Sequence, residues 1–98
     1  MWARLSRFAG LPPQRLDRTV EEFERDLLPA LEQQPGYSGV VVGIDRTAGR
    51  AAVFTFWETE DQLRASDALA DRARDQAAAT ADAPREPIVD RYEIVIRK

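Results

Sequence analysis

Residues 37–57, YSGVVVGIDRTAGRAAVFTFW, decide the fold. Tyr37 to Asp45 and Arg50 to Trp57 are rich in β-branched and aromatic residues, and only Arg46-Thr47-Ala48-Gly49 lies between them. Gly49 is free to take a positive φ, so the two runs predict an antiparallel hairpin. Val40-Val41-Val42 is apolar at every position, the pattern of a strand covered on both faces. Toward the N-terminus, Leu16, Val20, Phe23, Leu27 and Leu31 recur at spacings of three and four, one stripe of an amphipathic helix. That helix starts at Pro13 or Gln14 and is ended by Gln34-Pro35-Gly36. Pro29 inside the pattern predicts a kinked or thinned last turn. Trp2 to Phe8 reads as a first strand, broken by Gly10-Leu11-Pro12-Pro13.

On the other side of the hairpin, Thr59 is a candidate N-cap, and Gln62 three residues later completes a capping-box pattern. Leu63, Ser66, Leu69, Ala70, Ala73 and Ala77 line the inner side of a second, Ala-rich helix. Pro84 and Pro87 end that segment, and Ile88 to Ile96 forms the last strand. The order β-α-β-β-α-β predicts one α+β domain over residues 1–98. Its form is ferredoxin-like, with a four-stranded antiparallel sheet ordered 4-1-3-2 and both helices on one face.

Alternation along the strands then assigns faces. The Phe54 and Phe56 pair is the better candidate for the core under the helices. The helix-free face would carry Arg4, Ser6, Phe8, Val53, Thr55, Trp57, Arg91, Glu93 and Val95. That mixture is too apolar for open water and too polar for a plain core. It predicts a homodimer joined sheet to sheet around a partly polar cavity.

Composition bounds the chemistry. With 98 residues, 44% hydrophobic and 32% charged, the chain is a folded domain and neither a disordered tail nor a membrane protein. No apolar run approaches the roughly 20 residues that span a bilayer, and Met1 to Arg7 lacks the order of a signal peptide. Lys98 is the single lysine among many arginines, and alanine is abundant. That usage fits genomic codon bias and a bacterial, cytoplasmic protein. The absence of Cys and His excludes zinc hydrolases, His-ligated haem and Ser-His-Asp catalysis, so no metal or cofactor is expected. A net charge of −3 argues against a nucleic-acid partner.

Candidate site residues follow from the face assignment. The Trp57 indole could stack on a flat ligand and donate one hydrogen bond, or it could plug the sheet edge beside helix two. Strands one and four are neighbours, so Arg4 and Glu93 form a candidate pair. Glu93 would handle a proton and Arg4 would orient a substrate oxyanion; the alternative is an ion pair stitching the dimer. Val53, Thr55, Ser6, Phe8, Tyr37 and Arg91 complete the expected ligand-binding set. Tyr92 reads as packing.

Trp2-Ala3-Arg4-Leu5, Leu28-Pro29-Ala30-Leu31, Pro35-Gly36-Tyr37-Ser38-Gly39 and Thr55-Phe56-Trp57-Glu58-Thr59-Glu60 carry a resemblance. In that order and spacing, the chain resembles the antibiotic biosynthesis monooxygenase (ABM) domain family of dimeric α+β barrels over essentially its whole length. The resemblance implies sheet-to-sheet pairing, with contacts often exchanged through the last strand, and a cavity for a small hydrophobic or aromatic ligand. It also implies several possible activities. One is a cofactor-independent monooxygenase or isomerase acting on an aromatic polyketide-like substrate; another is a structural dimerisation module without catalysis. Haem-degrading members use a His ligand with an Asn and a Trp, and this chain has neither His nor Asn. Quinone-forming members place an Asn four residues before a Trp on strand three; Trp57 matches the Trp, and Val53 occupies the Asn position.

Overall fold

The computed structural model describes residues 1–83 and 86–98; Pro84, one of the two prolines expected to end the second helical segment, lies outside them. Strands β1 (Trp2–Phe8), β2 (Tyr37–Asp45), β3 (Arg50–Trp57) and β4 (Ile88–Glu93) form one sheet ordered β2-β3-β1-β4. Every neighbouring pair is antiparallel. This is the predicted order. The helices pack on one face of the sheet; among the described residues no helix covers the other face, where Arg97 lies over the Phe56 ring.

The hairpin connection closes as expected. Gly49 sits at φ 67°, and its N–H reaches the Asp45 carbonyl at 2.9 Å. The Asp45 carboxylate accepts from the backbone N–H groups of Thr47 and Ala48, which fixes the turn. At the opposite end of β2, Ser38 is a bulge: the pairing passes from Tyr37 opposite Trp57 to Gly39 opposite Phe56.

The first helical segment is α1 (Pro13–Glu22), a π-helical stretch (Phe23–Leu27) and α2 (Leu28–Glu32). Pro29 explains the irregularity. Its nitrogen carries no proton, and its ring would press on the Arg25 carbonyl of a regular α-turn. The chain answers by widening, so that the Leu28 N–H reaches back five residues to the Phe23 carbonyl. The predicted disturbance is there, as a wider turn rather than a thinner one.

The second helical segment is two helices, α3 (Glu60–Ala65) and α4 (Asp67–Ala81), not one. Thr59 caps α3, its hydroxyl accepting from the Gln62 N–H at 3.1 Å. The return half of the capping box is not made, because the Gln62 carbonyl oxygen is buried without a donor. The break falls at Ser66. Its hydroxyl donates to the Leu63 carbonyl at 2.6 Å, and the Arg4 guanidinium donates to the same carbonyl at 2.8 Å. Two outside donors on one carbonyl interrupt the helical ladder there.

Three expectations need correction. First, the faces are inverted: Arg4, Ser6, Phe8, Thr55 and Trp57 are buried against the helices, while Phe54 and Phe56 lie on the free face. Trp57 fills the space between Leu31 and Leu63, and Arg4 reaches the Leu63 carbonyl, Ser66 and Asp67 at the α3–α4 junction, so the side carrying both residues is the one covered by the helices. Second, Arg4 does not pair with Glu93. The β1–β4 register sets Trp2 opposite Glu93 and Arg4 opposite Arg91, and Glu93 is exposed. Third, β4 ends at Glu93 instead of Ile96. Its neighbour β1 begins at Trp2, and the last rung is the Ile94 N–H to the Met1 carbonyl. Beyond it Val95 and Ile96 have no ladder partner and are exposed.

Two buried clusters hold the layers together. Phe8, Leu11, Leu16 and Ala81 form one, and Leu31, Trp57 and Leu63 the other.

Candidate functional site

Between the two clusters the layers do not meet fully, and a cavity of about 60 Å³ remains. Its floor is Arg4, Ser6, Val53 and Thr55 from β1 and β3; its roof includes Phe23 from the π turn and Ala70 and Arg74 from α4. The roof is thin because alanines face the sheet along α4, where larger residues would fill the gap. The π turn adds to this, since it carries Phe23 at the one widened place in the helical layer.

Arg4 organises the polar end. Its side chain is 2% exposed, and one nitrogen, Nη2, makes all its bonds: to the Leu63 carbonyl, to the Ser66 hydroxyl at 3.0 Å and to the Asp67 carboxylate. Nε and Nη1 have no acceptor among the described residues. Burial foremost, joined by the positive charges of Arg74 and Arg91, lowers the Arg4 pKa against the raising influence of Asp67. Burial also pushes the Asp67 carboxyl upward, but its bonds to Arg4 and Arg91 prevail and hold it below the usual carboxylate range. Arg74, whose side chain is mostly buried, pairs with Asp71 and reaches the Ser6 hydroxyl only at 3.5 Å. Burial is the main reason its pKa is lowered too.

Of the residues expected to bind a ligand, Arg4, Ser6, Phe8, Val53 and Thr55 line the cavity. Trp57 is not in the lining. It is fully buried between Leu31 and Leu63, and its indole N–H is taken by the Thr55 hydroxyl at 3.1 Å. Tyr37 meets the Trp57 ring edge-on at 5.9 Å; burial, with the nearby Glu32 charge, raises its pKa. Arg91 supports Asp67 from outside, and Glu93 stands apart from the cavity. Asp67 and Arg74 did not figure among the expected residues. A signal was available for Arg74, which interrupts the inward stripe of the Ala-rich helix as Arg4 and Ser6 interrupt the apolar run of β1; none was available for Asp67.

Chemically, the charged groups lining the cavity among the described residues are Arg4 and Arg74, accompanied by the hydroxyls of Ser6, Thr19 and Thr55. The arrangement can donate hydrogen bonds and supply positive charge to a guest within apolar walls. Among the described residues no group of three His, Cys, Asp or Glu side chains is placed to hold a metal ion. No helix of the described residues is long and apolar enough to cross a membrane. A wider hollow of about 490 Å³ at the hairpin end of the sheet opens to solvent beside Arg7, Asp45, Arg50 and Glu86, and Asp45 and Arg50 pair with each other there.

The fold has counterparts among solved structures. A monooxygenase from the gene ActVA-Orf6 of Streptomyces coelicolor, in complex with nanaomycin D, superposes with a TM-score of 0.76 at 13% identity. That match spans 99% of this chain and 92% of the other. SnoaB, a cofactor-independent oxygenase from Streptomyces nogalater, gives 0.67 at 17% identity over 98% and 94%. NE2512, a protein of unknown function from Nitrosomonas europaea, gives 0.73 at 19% identity over 99% and 91%. No protein-family model matches the sequence, and neither does any curated protein. The chain has the fold of the antibiotic biosynthesis monooxygenase proteins, in keeping with the resemblance carried by its motifs. At these identities the likeness concerns the fold alone.

Proposed function

We propose that this protein binds a small hydrophobic or aromatic molecule in the chamber between its helices and its sheet, as one half of a homodimer joined through the opposite, helix-free face. The observation that carries the first part is the cavity itself, apolar in its walls with the buried Arg4 among its lining residues. Small-molecule sites have this composition, with few polar groups set in an apolar lining. The Streptomyces coelicolor neighbour, solved with nanaomycin D, supports the reading by analogy of fold. The cavity is smaller than the roughly 150 Å³ that holds a benzene ring. A ring therefore enters only when Phe23 and the π turn move outward, and π turns inside helices occur often at functional sites.

A graded series of neutral probes tests this. Xenon and isobutane are expected to shift the amide resonances of Val20, Phe23, Val53 and Ala73, and benzene to move those of Phe23 to Leu27 as well. Shifts confined to the free face of the sheet, or none with all three probes, would refute the proposal.

The second part is supported by the composition of the uncovered face. Val41 is 55% exposed and Tyr92 48%, beside the half-buried rings of Phe54 and Phe56. Arg7 and Asp90 pair at 3.0 Å toward its edge. Arg97 from the C-terminal segment lies over the Phe56 ring at 5.1 Å, and the exposed Val95 and Ile96 precede it. An apolar centre with a charged rim is the build of a protein interface. Light scattering is expected to give twice the 11.1 kDa protomer mass at micromolar concentration, and Phe54→Asp to return it to one protomer. A wild-type protomer that stays single at those concentrations would remove the dimer from the proposal.

A further inference from the structure

We infer that Pro29, which is outside the cavity lining, sets the largest guest the cavity admits, by keeping the π turn in place and with it the freedom of Phe23 to swing outward. The inference rests on the cavity reading above and adds the residue that determines its size selectivity.

The sequence leaves two registers open to the first helical segment. Leu16, Val20 and Phe23 turn their side chains to the cavity and fix the inner stripe that far. Beyond Phe23, a regular α-helix brings the residue four positions on, Leu27, to the inner side; a helix with one widened turn brings the residue five positions on, Leu28. Both are leucines, so exchanging one for the other conserves the apolar side chain available for burial. In the structure Leu28 and Phe23 pack against the cluster of Leu31, Trp57 and Leu63, and Leu27 packs against neither buried cluster.

Since burial does not choose between the registers, Pro29 does. A regular helix needs an N–H at position 29 to donate to the Arg25 carbonyl, and Pro29 has none, while its ring takes up the same space. Pro29 is exposed, so core packing does not account for a proline there.

The widened turn also lies at the roof of the cavity. Phe23 is half-buried and lines it, and the Phe23 carbonyl accepts from the Leu28 N–H. Glu24, Arg25 and Asp26 after it are exposed; Arg25 pairs with Asp26, and among the described residues no ion pair ties this turn to the sheet or to α4. Outward movement of Phe23 thus strains the turn and little else. A regular ladder, with the Leu27 N–H on the Phe23 carbonyl, would hold the ring down in better hydrogen-bond geometry.

Pro29→Ala supplies the missing donor and the strongest helix former, and tests the inference. Cross-relaxation between the Trp57 ring protons and the leucine methyls is expected to pass from Leu28 to Leu27. Xenon uptake is expected to stay unchanged, and benzene to bind about 10-fold or more weakly, because the open form becomes rarer. Leu27→Ala added to Pro29→Ala removes the side chain that the regular register would bury. It is expected to return Leu28 to the Trp57 ring and to restore benzene binding. A benzene-to-xenon affinity ratio unchanged in Pro29→Ala would overturn the inference and leave the cavity reading intact. So would Leu28 keeping its place beside Trp57 in that variant, or benzene binding that Leu27→Ala does not restore. Wild-type protein that takes up neither xenon nor benzene would remove the cavity reading itself.

Discussion

Trp57→Ala is expected to destabilise the protein by about 3–5 kcal/mol, the range for truncating a large aromatic in a packed core. Trp57 is 0% exposed, fills the space between Leu31 and Leu63, and receives the edge of the Tyr37 ring. Its loss also leaves the Thr55 hydroxyl, 5% exposed, without the indole donor. A domain of this size has about 5–15 kcal/mol of total stability, so the variant gives up about a fifth of it or more. The melting temperature is expected to fall by about 12 °C or more, since each kcal/mol is worth roughly 4–8 °C at this length. Trp57→Phe keeps most of the volume and is expected to lose less than half as much. Urea and thermal unfolding at fixed protein concentration measure both. A Trp57→Ala protein within about 1 kcal/mol of wild type would show that the ring is not the packing element described above.

Arg4→Met has a different signature, little net effect on stability despite the loss of a buried, hydrogen-bonded cation. Two terms oppose each other. Charge-assisted hydrogen bonds to the Leu63 carbonyl and Ser66 hydroxyl are worth about 1.5–3 kcal/mol each. Against them stands the cost of burying a guanidinium with unmet donors, which is several kcal/mol in protein interiors. Burial together with the Arg74 and Arg91 charges lowers the Arg4 pKa against the Asp67 partnership, so the charged form gains little from folding. Leu63 and Ser66 keep the bond between them, and Asp67 keeps Arg91, so neither is left alone. A methionine of similar length is therefore expected to leave stability within about 1 kcal/mol of wild type, or to raise it. A loss of 3 kcal/mol or more on this substitution would make Arg4 a structural strut.

The acid limb of the same variant adds a check. The Asp67 carboxyl is held below its ordinary value, so its contribution is fully present above the unfolded aspartate pKa, near 3.9, and is lost as pH falls through the lower folded value. Without Arg4 that depression shrinks. Stability below about pH 4 is then expected to fall less steeply than in wild type.

The sequence discloses the fold through features that are local. The hairpin turn, the Thr59 cap and the disturbance at Pro29 each depend on residues within a few positions, and the strand order follows from connection rules. The faces were not legible. Val53, Thr55 and Trp57 alternate with Ala52, Phe54 and Phe56, so β3 is apolar on both sides and a period of two cannot choose between them. What chooses lies far along the chain: Leu31 and Leu63 enclose Trp57, and Leu63, Ser66 and Asp67 supply the acceptors for Arg4. The expected residues on β1 and β3 nonetheless gathered at one site, because alternation kept Arg4, Ser6, Val53 and Thr55 together even with the faces exchanged. The Arg4 partner was hidden for another reason. Asp67 is far from β1 along the chain and reaches it only through the break at Ser66, which no periodicity announces.

On the proposed function the two faces of the sheet have separate tasks, a guest chamber under the helices and a junction with a second copy on the other side. The four phenylalanines of the chain divide between them: Phe8 and Phe23 line the cavity, and Phe54 and Phe56 lie on the free face. Fluorine resonance spectra of protein labelled with fluorophenylalanine, recorded under xenon pressure and then on serial dilution, separate the two tasks. Xenon is expected to shift the Phe8 and Phe23 signals alone, and dilution to shift the Phe54 and Phe56 signals alone. Xenon shifts at Phe54 and Phe56 with Phe8 and Phe23 unmoved would place the chamber on the wrong side of the sheet.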